Sequence, residues 1–299
     1  MMDTPSVRKR IGLYLVFTFS FSSVFYFLII RQGAMHVPGT LPYTLFLMWS
    51  PGIAAILVTF FFRKNLRGLG WGWGRTSWQA LSYALPLLYG LVAYGFVWVT
   101  GLGGFPNPDF IDHAATQISE IFGWSDLSPT AVIAAAVLID GTVGFLISCV
   151  SAIGEEIGWR GFLVPHLARI TSFSKTALIS GAIWSIYHYP LLLFSDYNSG
   201  APTWYSMACF TLLVFAASFP FAWLRIKSGS LWTGVILHAS HNLFVQAVFD
   251  RITVDTGTTR YFTGEFGIAL AVASCAVAYY FWKRRTEVEQ SNTPELTVK

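Results

Sequence analysis

Residues 130–160 read TAVIAAAVLIDGTVGFLISCVSAIGEEIGWR. From Thr130 to Ile153 Asp140 is the one Asp, Glu, Lys or Arg, and then Glu155, Glu156 and Arg160 follow close together. A hydrocarbon core about 30 Å thick is crossed by roughly 20 apolar residues rising about 1.5 Å each, so the first part is long enough to span a bilayer as a helix. The second part brings charge to the end of that span, where it is costly unless it is paired or meets water. The stretch predicts a membrane helix with chemistry at one end.

Working outward, segments 11–30, 43–62, 78–102, 176–194, 204–226, 231–249 and 265–282 have the same character, which with 130–153 predicts an all-α membrane bundle of about eight transmembrane helices. Composition agrees: 54% of the 299 residues are hydrophobic and 11% charged, against about 25% charged in a soluble domain. Twelve Trp and 13 Tyr suit the headgroup level of a bilayer. The first run follows Arg8-Lys9-Arg10, exceeds a signal-peptide apolar region and lacks an A-x-A cleavage site, so it is expected to stay as the first span.

Positive charge orients the bundle, because Lys and Arg concentrate in cytoplasmic loops. With the N-terminus inside, the cytoplasmic side holds Arg8, Lys9, Arg10, Arg63, Lys64, Arg67, Arg75, Arg160, Arg169, Lys175, Arg225, Lys227, Lys283, Arg284, Arg285 and Lys299. Of the 19 basic residues only Arg31, Arg251 and Arg260 fall outside, which predicts a cell-membrane protein with both termini cytoplasmic. The outer loop 103–129 is acidic, with Asp109, Asp112, Glu120 and Asp126. The Gly/Trp alternation in 69–78 (LGWGWGRTSW) reads as an interfacial anchor. The net charge of +4 sits in short clusters with no continuous basic stripe, so no nucleic-acid partner is expected. Cys149, Cys209 and Cys275 lie in apolar runs without disulfide spacing. The expected partition is a cytoplasmic tail at 1–10, early helices and outer loop at 11–129, a core at 130–249, a last loop and span at 250–285, and a disordered tail at 286–299.

Ionisable residues inside spans mark function, and three spans collect them: 154–160 (GEEIGWR), 184–190 (WSIYHYP) and 238–242 (HASHN). On a helix Glu156 and Arg160 are four apart with the acid first, the favourable order for an ion pair. Glu155 projects about 100° away and stays available as a general base. His238 and Asn242 share a face and can donate together to a developing oxyanion. Counted from the cytoplasmic helix ends, His238 lies about 10 Å deep and His188 about 18 Å deep, so a cavity open to the cytoplasm would reach both.

These motifs resemble the CPBP membrane proteins, which include type II CAAX prenyl endopeptidases and relatives linked to bacteriocin processing or immunity. The family's EExxxR is matched by Glu155, Glu156 and Arg160, its FxxxH by Trp184 and His188, and its HxxxN by His238 and Asn242. The likeness covers roughly 130–249, making that the CPBP-like catalytic core. Trp184 stands where the pattern has Phe, an exchange that preserves an aromatic packing wall. The resemblance implies an intramembrane endopeptidase acting on membrane-associated or prenylated CAAX-type peptides or proteins. Glu155 and His188 would activate water, His238 and Asn242 would polarise the carbonyl, and Glu156 and Arg160 would support the site.

Other chemistries have less support. HExxH and GxSxG are absent, and Asp140 lacks the partner of an aspartyl dyad, reading as a helix-packing polar residue. Glu155, His188 and His238 are also the ligand types of a catalytic Zn2+ site, so a metalloprotease stands as the alternative to a glutamic mechanism needing no cofactor. His241 is expected to pack beside the active face. A non-catalytic scaffold or immunity protein, or a proton-coupled transporter, is the competing class.

Overall fold

The computed structural model describes residues 4–33, 38–63 and 65–289; Lys64, Lys299 and the tail from 290 onward lie outside them. We number the helices α1 (Thr4–Arg31), α2 (Leu41–Arg63), α3 (Thr76–Val99), α4 (Pro108–Phe122) and α5 (Pro129–Leu167). Then come α6 (Phe173–Phe194), α7 (Thr203–Ser228), α8 (Trp232–His241), α9 (Ile268–Lys283) and the short α10 (Thr286–Glu289). No strand forms among the described residues beyond an isolated bridge between Gly104 and Val254. The chain is an all-α, multi-pass membrane bundle.

Each of the eight expected segments is helical over most of its length. Among the described residues six helices, α1, α2, α3, α5, α6 and α7, are long and apolar enough to cross a membrane. α8 continues beyond His241 through a π-helical stretch, Asn242–Phe249, and α9 is a shorter apolar helix of 16 residues. Large apolar side chains such as Phe61, Leu146 and Ile147 are left 66–76% exposed, as suits lipid and not water.

Contacts sort the helix ends into two faces. On the face nearest both described ends, Arg10 stacks on Phe62, Trp223 donates to the Arg284 carbonyl and Lys227 pairs with Glu287 at 3.3 Å. On the opposite face Asn107 donates to the Arg251 carbonyl at 3.1 Å, and Tyr205 to that of Tyr261 at 2.6 Å. Basic residues crowd the first face.

Three features depart from the sequence reading. The acidic outer loop contains α4, an amphipathic helix capped by Asn107 that buries Phe110, Ala114 and Ile118 against α5. The fourth span does not end near Ile153: the helix runs on to Leu167 through a π segment, Ile157–Leu163, so the EExxxR motif is inside the bundle. Residues 286–289, expected in a disordered tail, form α10 with Val288 buried.

Small residues let α5 meet α2 closely. A Cβ on Gly52 would stand 2.4 Å from the Gly154 carbonyl oxygen, and one on Gly154 would strike Trp49. Close backbone approach of this kind is how helices gain packing where lipid supplies no hydrophobic drive. It fixes the height of Glu155 and Glu156 against the first two helices.

Candidate active site

Four expected site residues, Glu155, His188, His238 and Asn242, line one cavity of about 140 Å³, room for several waters. Glu155 is 2% exposed, and its Oε2 accepts hydrogen bonds from the indole N–H of Trp159 (2.9 Å) and of Trp184 (3.0 Å). Trp184 is therefore more than a packing wall. A Phe there could not donate.

Glu156, one residue on, turns to a different neighbourhood. Its Oε1 accepts from Arg160 Nη1 at 2.7 Å and from His238 Nδ1 at 2.9 Å, with all three side chains buried. The Arg160 guanidinium also lies 4.2 Å from the Trp184 ring centroid and 3.7 Å from that of Phe221, a desolvated cation between two π faces. Among the described residues Glu156 Oε2 has no hydrogen-bond partner, and it rests against Gly234, where a Cβ would come within 2.7 Å of it. The supporting pair expected from EExxxR is present, and it holds His238 as well.

His188 shows which of its nitrogens is available. A carbonyl can only accept, so the 2.9 Å contact of Nδ1 with the Trp184 carbonyl assigns a proton to Nδ1, and in the neutral ring Nε2 is then the acceptor. The segment is held from behind: Tyr26 donates to the Tyr187 carbonyl, and the Tyr187 hydroxyl donates to that of Leu47 at 2.6 Å. Ser148 of α5 donates to the Ala239 carbonyl at 3.3 Å and Ser240 of α8 to that of Tyr83 at 2.6 Å, which positions the His238–Asn242 face.

Sequence reasoning missed a second polar group on the same cavity. His241 does more than pack beside the face: its Nε2 meets Glu265 Oε1 at 3.0 Å and its Nδ1 meets the Tyr89 hydroxyl at 2.5 Å. Tyr197 donates to the other Glu265 oxygen at 2.6 Å, and Glu265, Tyr197 and His241 all line the cavity. Glu265 stands in the turn before α9, and an acid at the edge of an apolar run gave no sign of its destination. The cavity also draws on Thr44 and Met48 of α2, on the face opposite the termini, which the expectation of a cytoplasmic mouth did not anticipate.

Asp140 is half-buried and does not line the cavity, and the three cysteines are unpaired. Among the described residues no group of three or more His, Cys, Asp or Glu side chains converges closely enough to hold an ion. His238 and His188 each bond through Nδ1, to Glu156 and to the Trp184 carbonyl, and keep Nε2 for other partners.

Fold and site together define a helical membrane protein with a cavity lined by Glu, His and Asn side chains inside the bundle. Residues 129–244 match the family model described as type II CAAX prenyl endopeptidase Rce1-like. It is also 27% identical over 132 residues to CAAX prenyl protease 2 of Methanococcus maripaludis, a match covering 42% of this chain and 45% of that relative. The chain thus spans less than half the length of the curated relative it matches.

Proposed function

We propose that this chain is an intramembrane endopeptidase that hydrolyses peptide bonds of membrane-associated proteins by water activated between Glu155 and His188. The observation that carries the reading is the shared cavity, in which the Glu155 carboxylate and the lone pair of His188 Nε2 are both acceptors. A water donating to both has its oxygen turned outward, toward a carbonyl carbon. As the C–O bond forms, the water's proton passes to Glu155. The carbonyl oxygen becomes an oxyanion against Asn242 and His238, which offers an Nε2–H donor when its ring is doubly protonated against Glu156. Collapse breaks the C–N bond, and the proton held by Glu155 goes to the leaving amine. No cofactor takes part.

CAAX-type prenylated substrates fit the relative's name, and a lipid-embedded site suits any substrate tethered to the bilayer. Both termini are assigned to the cytoplasm on the distribution of basic residues. A scaffold or proton-coupled transporter has no observation in its favour. The separating experiment is cleavage of membrane-anchored peptides by purified Glu155→Gln. Loss of cleavage with an unchanged melting curve is expected, whereas wild-type cleavage by a folded variant returns the protein to the scaffold reading.

A further inference from the structure

The cavity is not equally deep from both sides. Thr44 and Met48 lie in the first turns of α2, Leu191 near the end of α6, Tyr197 just beyond it, and Gln246 about 9 Å short of Ile252, all toward the face opposite the termini. Burial follows the same direction. Gln246 is exposed and Thr44, Met48, Asn242 and Tyr197 are half-buried, while Glu155, Trp184, Phe221 and His238 are buried.

Toward the terminus-bearing face the cavity is stopped by packed side chains. Arg160 fills the space between Trp184 and Phe221, and Arg225 Nε donates to the Arg160 carbonyl at 2.6 Å from below. A peptide could not pass there without breaking the Glu156–Arg160 pair. An exposed Gln246 on a helix that otherwise buries its neighbours is the counterpart expected of a polar mouth.

Combined with the charge asymmetry that puts the termini in the cytoplasm, the geometry points to entry from the non-cytoplasmic half of the membrane. We propose that the substrates are membrane-tethered peptides presenting their scissile bond on the outer side and passing Gln246 to reach Glu155. The proposal rests on the peptidase reading of the cavity and names the class of substrate it takes.

The test uses full-length protein in the membrane of an expressing bacterium, with Cys149, Cys209 and Cys275 replaced by Ser. Gln246→Cys and Thr44→Cys report on the mouth; Glu120→Cys and Lys175→Cys report the two faces. A charged, membrane-impermeant maleimide is applied to cells with a permeabilised outer membrane and to inverted inner-membrane vesicles. Since thiol reactivity follows access, Gln246→Cys should label about tenfold or more faster in cells than in vesicles, together with Glu120→Cys and opposite to Lys175→Cys. Thr44→Cys gives the same answer if Gln246→Cys folds poorly. Labelling of the mouth positions with Lys175→Cys, reactivity from neither side, or exchange of the two face controls would overturn the proposal. Labelling needs no catalysis, so it fails or succeeds independently of the Glu155→Gln cleavage assay.

Discussion

Gly234→Ala is the sharpest probe of how the site is held. The added Cβ would sit 2.7 Å from Glu156 Oε2 and 3.2 Å from Arg160 Cβ and Cγ. A carboxylate at the tip of a free side chain would swing aside, but Glu156 is fully buried and its other oxygen is bound to Arg160 and His238 at 2.7 and 2.9 Å. Relieving the clash by about half an ångström either stretches those two bonds or pushes α8 away from α5. Overpacking of this size costs about 1–3 kcal/mol. For a chain of this length each kcal/mol lowers Tm by about 2–4 °C. Because His238 moves with Glu156, cleavage should fall further than stability, by up to about 100-fold if the displacement approaches 1 Å. Thermal denaturation in detergent and initial rates on one quenched membrane peptide measure the two effects. A variant with wild-type Tm and wild-type rate would refute the claim that Gly234 is present to admit the Glu156 carboxylate.

Arg160→Ala leaves Glu156 buried with only His238 as partner and should lower stability by about 3–5 kcal/mol, read as a large fall in Tm. An unchanged melting curve would mean water reaches the pair. Asn242→Ala should slow cleavage by about two to three orders of magnitude, less than the total loss expected of Glu155→Gln and His188→Ala, because His238 remains as an oxyanion donor; equal losses in all would remove that role. Trp184→Phe keeps a ring against Arg160 but deletes one of two donors to Glu155, worth about 1.5–3 kcal/mol for a bond to a charged group. It should therefore cost activity more than Tm, and wild-type kinetics would show that Trp159 suffices to orient the carboxylate.

The bundle was legible because hydropathy integrates over long windows, so the helical segments fell where the apolar runs did. The errors came where a short polar signal had a tertiary answer. Glu156 and Arg160 read as the end of a span because charges usually mark an interface, yet they are paired inside a helix that continues to Leu167. The α4 helix hid in an acidic loop, its period visible only in Phe110, Ala114 and Ile118. The Glu155, His188, His238 and Asn242 grouping was legible from i, i+4 spacing within helices and from motif order between them. Tyr197 and Glu265 were not, since both belong to connections whose path over the cavity depends on how α6, α7 and α9 pack.

Adjacent carboxylates at 155 and 156 would repel if they faced the same space. The helix turns them apart, and each is then neutralised differently: Glu156 by a cation and an imidazole, Glu155 only by two neutral indole donors. A carboxylate bound by Arg160 and His238 is occupied in holding the site together, whereas one satisfied on a single oxygen by neutral donors keeps its other oxygen for water. At the opposite end of the cavity the Glu265 carboxylate has each oxygen bound, one by His241 and one by Tyr197, so it contributes charge and rigidity while leaving Glu155 as the acceptor open to water. Of the two acids that line this cavity, Glu155 keeps the less occupied carboxylate, and it is the one proposed to act as a base beside His188 and Asn242.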